Sequence, residues 1–426
     1  MTPGWGRTRQ NAIYTAGIHG RRPRVPTDFA ELERRARKVM SERAWAYVAG
    51  GAGEGRTMAA NRAALDRWAI VPRVLRDVSH RSLEIELFGA QLPAPILFAP
   101  VGAGGLVLRD ADVAIGRAAA ELGVPYIFSN QGSASMERVA TAMESVKDGA
   151  PRWFQLYWST DDDLVDSFLR RAERCGAQAI AVTLDTTLLG WRPQDLNLGS
   201  LPFARAEGIA QYTSDPRFAE IVADRAAAGT GEKPEVSPGA VRTLFSIARN
   251  TPGSLLRNLI RPEPRVGVQT FLDIYSRPSL GWTEIASLRE RTSLPIVLKG
   301  ILHPDDARAA VDAGIDGIIV SNHGGRQIDG EIGSIDALTE IASVVDGRAK
   351  ILVDSGIYTG ADAFKALALG ADAICIGRPH MYGLAIDGAD GAREVVANII
   401  GELDLTLGLA GHTSVADVTA DALRRI

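Results

Sequence analysis

Eight short apolar runs recur along the chain, each followed by Gly, Ser, Asn or Asp and then by a helical pattern. They are PILFA (95–99), PYIFS (125–129), RWFQLY (152–157), AIAVTL (179–184), PIVLK (295–299), GIIVS (317–321), KILVD (350–354) and AICIG (373–377). A run that is apolar throughout, rather than alternately, marks a strand buried on both faces, as in a parallel sheet covered by helices. Stretches such as ADVAIGRAAAELG, DLVDSFLRRAERCG, PDDARAAVDAG and GADAFKALALG lie between the runs, with Ala/Leu faces and a final glycine suited to a left-handed cap. Eight strand–helix units in series predict an α/β protein built as a closed (β/α)8 TIM barrel. An open doubly wound sheet would carry a glycine-rich fingerprint after its first strand. GGAGEG (50–55) follows a helical pattern and lacks that spacing.

The chain has 426 residues, more than the roughly 250 such a barrel requires. Residues 1–94 read as an N-terminal helical extension contributing to the active site, and 95–426 as the barrel. One connection is oversized, with about 110 residues between Leu184 and Pro295. We read about 193–281 as a lid or insertion after strand four, since long connections of this kind serve as lids or binding loops. Its middle, Val241 to Arg265, carries five arginines against one glutamate among Leu, Ile and Phe. The favoured reading is a lid helix with a solvated basic face, or a subunit contact; docking on an anionic membrane is the other. A net charge of -4 gives no overall basic field, so nucleic acid is not an expected partner. Cys175 and Cys375 form neither a disulfide framework nor a metal pair, and the N-terminus has no apolar leader. A cytoplasmic protein without a metal is expected.

In a barrel, catalytic groups project from the C-terminal strand ends. Those ends carry Gln155, Tyr157, Thr183, Asp185, Lys299, Ser321, His323, Arg326, Asp354, Gly377 and Arg378. Polar strand ends also cap helices, and Asp185 alone reads equally as such a cap. So many at one face point to chemistry. Of six histidines, His323 in SNHGGRQ is the one that closes a buried strand and precedes glycines that admit a ligand. Arg326 beside it suits a carboxylate clamp while the imidazole takes a proton, with Asp185 orienting the ring. Lys299 ends an otherwise apolar strand, which is costly unless it meets an anion such as a reduced flavin or a phosphate. Gly356, Gly377 and Arg378, after strands seven and eight, stand where phosphate commonly binds backbone amides and a helix N-terminus.

The segments WFQLY (153–157), TLDTTLLGWRPQDL (183–196), LPIVLKGI (294–301), GIIVSNHGGRQIDG (317–330), ILVDSGIYTGADAFKALALGADAICIGRP (351–379) and AYVAGGAG (46–53) resemble the FMN-dependent 2-hydroxy acid dehydrogenases and oxidases. That family includes glycolate oxidase, lactate oxidase and mandelate dehydrogenase. The likeness runs from about Asp28 to Ile426, apart from the insertion. Within the family, GWRPQDL, YTSDPRF, HPDDARAAVDAGIDGI and NAIYTAG are most similar to lactate 2-monooxygenase. The resemblance implies FMN as cofactor, a small L-2-hydroxy acid and O2 as substrates, and a homotetramer or higher homo-oligomer. It implies His323 as the base with Asp185 its partner, Lys299 stabilising charge on the flavin, and Arg192 and Arg326 binding the substrate carboxylate. Tyr47 and Tyr157 would contact the carboxylate and hydroxyl. FMN would be held by Pro100, Val101, Gly102, Ser129, Gln155, Thr183, Lys299 and Ser321. Its phosphate would lie on Asp354, Ser355, Gly356, Ile357, Tyr358, Gly377 and Arg378.

Two positions depart from the family pattern. Gln131 stands where glycolate oxidase has a tryptophan, which alters the wall beside the substrate side chain. Tyr358 stands where an arginine is common, which removes a cation from the phosphate end and implies weaker FMN retention. The resemblance points to a lactate 2-monooxygenase-like reaction, L-lactate and O2 giving acetate, CO2 and water. An oxidase releasing H2O2 and a quinone-linked lactate or mandelate dehydrogenase are the alternatives. A non-redox FMN isomerase fits less well, because it requires no carboxylate clamp.

Overall fold

Each apolar run forms a strand in the structure, a computed structural model that describes residues 4–229 and 237–426. The strands are β1 (Ile96–Phe98), β2 (Tyr126–Phe128), β3 (Arg152–Leu156), β4 (Ile180–Thr183), β5 (Ile296–Ile301), β6 (Gly317–Val320), β7 (Lys350–Val353) and β8 (Ala373–Ile376). They pair in parallel in chain order, and β8 closes the barrel on β1 with Ile374 opposite Ile96.

Side chains alternate along a strand, so each strand sends one parity inward. Leu97, Ile127, Trp153, Ala181, Val297, Ile319, Leu352 and Ala373 fill the barrel interior, while the other parity packs beneath the helices. Two residues further along the inward parity the chemistry changes. Trp153 gives way to Gln155, Val297 to Lys299, Leu352 to Asp354 and Ala373 to Cys375, all lining a cleft. The polar strand ends are thus the top layer of the barrel core. The opposite mouth is closed by the hairpin of Ile85–Leu87 and Ala90–Leu92, whose Phe88 ring lies 5.4 Å from that of Trp153.

Helices Trp5–Ile18, Phe29–Val39, Glu42–Ala49 and Arg56–Asp66 make up the extension. The first two pack on the C-terminal helical segment Arg378–Leu409, which is broken at Asp387 and Gly388. Trp68–Ile70 pairs antiparallel with Leu423–Arg425, tying extension to C-terminus.

The described residues of the insertion are largely helical and anchored. The Tyr212 ring meets Phe271 at 4.7 Å and Phe168 at 5.0 Å. Asp215 caps helix Pro216–Ala228 through the Arg217 and Phe218 amides, and its other oxygen pairs with buried Arg171 at 2.9 Å. YTSDPRF therefore holds the insertion onto the helix that follows β3. The basic stretch forms helices Pro238–Asn250 and Leu255–Ile260, on which Arg242, Arg249 and Arg257 are exposed beside Phe245, Leu256 and Ile260. Among the described residues no helix is long and apolar enough to cross a membrane.

Candidate active site

The C-terminal mouth of the barrel opens into a cleft lined by the strand ends, the extension and the insertion. His323 sits in the turn after β6 with φ 57, and Gly324 and Gly325 continue in the left-handed region. A non-glycine residue held there signals strain that the surroundings maintain. Its amide donates to Ser321 Oγ at 3.0 Å, and the Gly324 amide donates to Ser355 Oγ at 2.9 Å. The ring Nδ1 lies 3.0 Å from Asp185 Oδ1, so the carboxylate selects the tautomer with its proton on Nδ1 and leaves Nε2 as a free base. Asp185 is no helix cap. It can approach because β5 bulges at Gly300, φ 104, where a Cβ would fall 2.7 Å from that of Asp185.

The electrostatics suit a base that is neutral at rest. Burial pushes the imidazole below the ordinary histidine range, outweighing the pull of Asp185. Burial raises the Asp185 carboxyl, but His323, Lys299 and the Thr186 hydroxyl overcome it and hold the group at about 2. Lys299, 3% exposed, is pushed down by burial and up by Asp354 and Asp185, with a net rise that keeps it charged. Its ammonium reaches Asp354 Oδ2 at 2.9 Å and donates to Ser321 Oγ at 2.6 Å. The anion it was expected to need is therefore in the chain. Asp354, expected at the phosphate, lines the cleft and pairs with this lysine.

Three guanidiniums are differently placed. Arg192 donates to the Arg326 carbonyl at 3.0 Å and the Gln327 side chain at 2.6 Å. Arg326 bonds the Tyr47 carbonyl and the Gly50 carbonyl, and its guanidinium lies 4.8 Å from the Tyr47 ring centroid. Arg378 donates to the carbonyls of Val48, Gly324 and Gly50. Among the described residues none of the three forms an ion pair. Burial, with Arg192 and Arg378 nearby, pushes Arg326 down to about 9. Such a cluster is short of anions, and a substrate carboxylate with a cofactor phosphate would supply them.

Most expected residues line this cleft: Tyr47, Pro100 to Gly102, Gln155, Tyr157, Arg192, Lys299, His323, Arg326, Asp354 to Tyr358, Gly377 and Arg378. Ser129, Thr183, Ser321 and Asp185 stand one layer behind. Ser129 donates to Gln155 Oε1 and Thr183 accepts from Gln155 Nε2, so these hydroxyls fix the amide as Ser321 fixes Lys299. Tyr358 stacks on Phe29 with centroids 3.8 Å apart, and Arg62 from the extension lies over it at 4.9 Å. A cation thus returns beside the loop, though Arg62 also bonds the Gly356 carbonyl and Asp362. Sequence reasoning missed Phe203 and Tyr275, which the insertion contributes to the cleft wall. Nothing in their spacing marks them.

The residues fit FMN: a buried amide and ammonium face the cleft at Gln155 and Lys299, and the turns after β7 and β8 present glycines and Arg378 at a helix start. Proton abstraction beside a clamped carboxylate, next to a flavin, defines a class of FMN-dependent oxidoreductases acting on hydroxy acids. Comparison with known proteins agrees, and the chain belongs to the FMN-dependent dehydrogenase family, whose model matches residues 36–425. It is 42% identical over 418 residues to the FMN-dependent alpha-hydroxy acid dehydrogenase qulF of Penicillium citrinum, covering 98% of this chain and 95% of that one. It is 42% identical over 390 residues to an L-lactate oxidase of Lysinibacillus sphaericus, covering 92% and 90%. A mandelate oxidase solved with (S)-4-hydroxymandelic acid superposes with a TM-score of 0.74 at 36% identity, over 93% of this chain and 97% of that one. FMN is thus the cofactor, and oxidation of a 2-hydroxy acid is the reaction.

Proposed function

We propose that the chain oxidises a small L-2-hydroxy acid of lactate size to its 2-keto acid in a lactate 2-monooxygenase-like reaction, L-lactate and O2 giving acetate, CO2 and water. The observation that carries the chemistry is the His323–Asp185 pair beside guanidiniums without carboxylate partners. Bound FMN supplies the two-electron acceptor. Arg192 and Arg326 take the substrate carboxylate, and the Tyr47 and Tyr157 hydroxyls donate to the carboxylate and hydroxyl. Burial raises both phenols above their ordinary range, so they remain donors. His323 Nε2 accepts the substrate proton, and Asp185 stabilises the imidazolium that forms. Lys299, held by Asp354 and Ser321, sets a fixed positive charge on the cleft floor. Pro100 to Gly102 and Gln155 hold FMN directly, with Ser129, Thr183 and Ser321 supporting them. Ser355 to Tyr358, Gly377 and Arg378 hold its phosphate.

The extension, residues 1–94, completes the site by supplying Tyr47. The insertion acts as a roof, with Phe203 and Tyr275 excluding water and keeping the keto acid in place for decarboxylation. The enzyme is cytoplasmic and homo-oligomeric in this reading, in keeping with two free cysteines. The likeness to an L-lactate oxidase favours a second reading, in which the keto acid leaves and H2O2 is released. Simultaneous measurement of oxygen uptake, peroxide and CO2 with L-lactate tests the two. CO2 equal to oxygen consumed, without peroxide, supports the monooxygenase; peroxide equal to oxygen overturns it in favour of the oxidase. Flavin bleaching without oxygen uptake overturns both for a dehydrogenase.

A further inference from the structure

Gln131 follows β2 in the cleft wall and is 7% exposed. Its backbone is fixed, the amide donating to Ser129 Oγ at 3.1 Å and the carbonyl accepting from Ala103 at 2.8 Å. Its side-chain amide has no hydrogen-bond partner among the described residues. A Cβ placed on Gly102 would lie 3.2 Å from both Gln131 Oε1 and Tyr47 Oη, so the amide and that phenol converge on one corner of the cleft. Leu189, Phe203 and Tyr275 also line this cleft. The amide opens on the cleft, so an alkyl group packed against it would strip its water without replacing the bond, whereas a ligand hydroxyl or amide supplies a partner.

We propose that Gln131 determines specificity, and that the preferred substrates are 2-hydroxy acids whose side chain ends in a neutral hydrogen-bonding group, a hydroxyl or an amide, over alkyl acids of equal size. An amide offers one donor group and one acceptor, which a hydroxyl or a second amide matches. The proposal rests on the 2-hydroxy acid reading above and refines lactate from preferred substrate to minimal one.

The test uses the FMN-loaded enzyme and isosteric pairs: glycerate against 2-hydroxybutanoate, and 2,4-dihydroxybutanoate against 2-hydroxypentanoate. Oxygen uptake gives kcat/KM, and anaerobic bleaching gives the rate of flavin reduction. The hydroxylated member of at least one pair is expected to be favoured by about tenfold, the worth of one buried hydrogen bond. Gln131→Met, which keeps length without the amide, is expected to abolish or invert that ratio while lactate still bleaches the flavin. Preference for the alkyl members, or an unchanged ratio in Gln131→Met, overturns this proposal alone, as does a changed FMN dissociation constant with unchanged selectivity. Failure of every acid, lactate included, to bleach the flavin overturns the 2-hydroxy acid reading together with it.

Discussion

Replacing Asn61 by alanine is expected to disable His323 without touching the cleft. The left-handed turn at His323 is backed by a reciprocal amide pair. Asn61 Nδ2 donates to Asn322 Oδ1 at 2.9 Å, and Asn322 Nδ2 donates to Asn61 Oδ1 at 2.7 Å. Asn61 Oδ1 also accepts from the Ser334 amide at 3.1 Å, and both asparagines are 1% exposed. Alanine removes all three bonds. Asn322 retains the Ile332 carbonyl and the Gly325 amide, but the Ser334 amide is left without that partner. One orphaned buried donor costs about 1–3 kcal/mol and each lost neutral bond about 1, so a loss of about 3–5 kcal/mol is expected. Urea unfolding of the FMN-loaded enzyme measures it. Release of the turn should also lower kcat tenfold to a hundredfold, on the order expected for an ångström of misplacement, with KM raised as well, because Arg326 follows directly on the turn and Arg192 is held by the Arg326 carbonyl and Gln327. A loss below about 1 kcal/mol, or a stability loss with unaltered kcat, would refute the clasp as a positioning device.

His323→Ala should bind FMN, seen in the visible spectrum, yet not bleach anaerobically with a 2-hydroxy acid; full bleaching removes it as the base. Because its folded pKa lies below the ordinary value of about 6.5, kcat/KM should be flat near neutrality and fall only at lower pH as the ring protonates. Gly300→Ala would place a side chain at φ 104 and within 2.7 Å of the Asp185 Cβ, so Asp185 must retreat. A loss of about 1–3 kcal/mol with a depressed kcat is expected, and near-normal kcat would count against the pairing. Asp215→Ala leaves buried Arg171 with Glu137 alone as an ionic partner among the described residues, so a loss of about 3–5 kcal/mol by urea unfolding is expected. A loss under about 1 kcal/mol would mean that the anchor of the insertion lies elsewhere.

What could be read from the sequence divides along a physical line. Strands buried on both faces must be apolar throughout, and their final inward residues face the mouth, so β1 to β8 and cleft residues such as Gln155, Lys299 and Asp354 were visible in the sequence. Partnerships were less visible. Lys299 and Asp354 were each assigned to a cofactor, because a charge at a strand end announces a need for a counter-charge without saying where it comes from. The barrel supplies the answer through register, since β5 and β7 flank β6 and bring the two groups within 2.9 Å. Backbone contributions left no trace at all: the carbonyls of Tyr47, Val48 and Gly50 orient Arg326 and Arg378, and a carbonyl has no letter in the sequence. The motif around Tyr358 shows no cation of its own, and Arg62, which lies over that ring, comes from the extension nearly three hundred residues earlier. Helix Arg56–Asp66 thus carries both Asn61, which braces the His323 turn, and Arg62, which braces the Gly356 turn. The His323 turn and the Gly356 turn therefore share one support, and under the proposed roles truncating the extension should weaken flavin retention and flavin reduction together rather than separately.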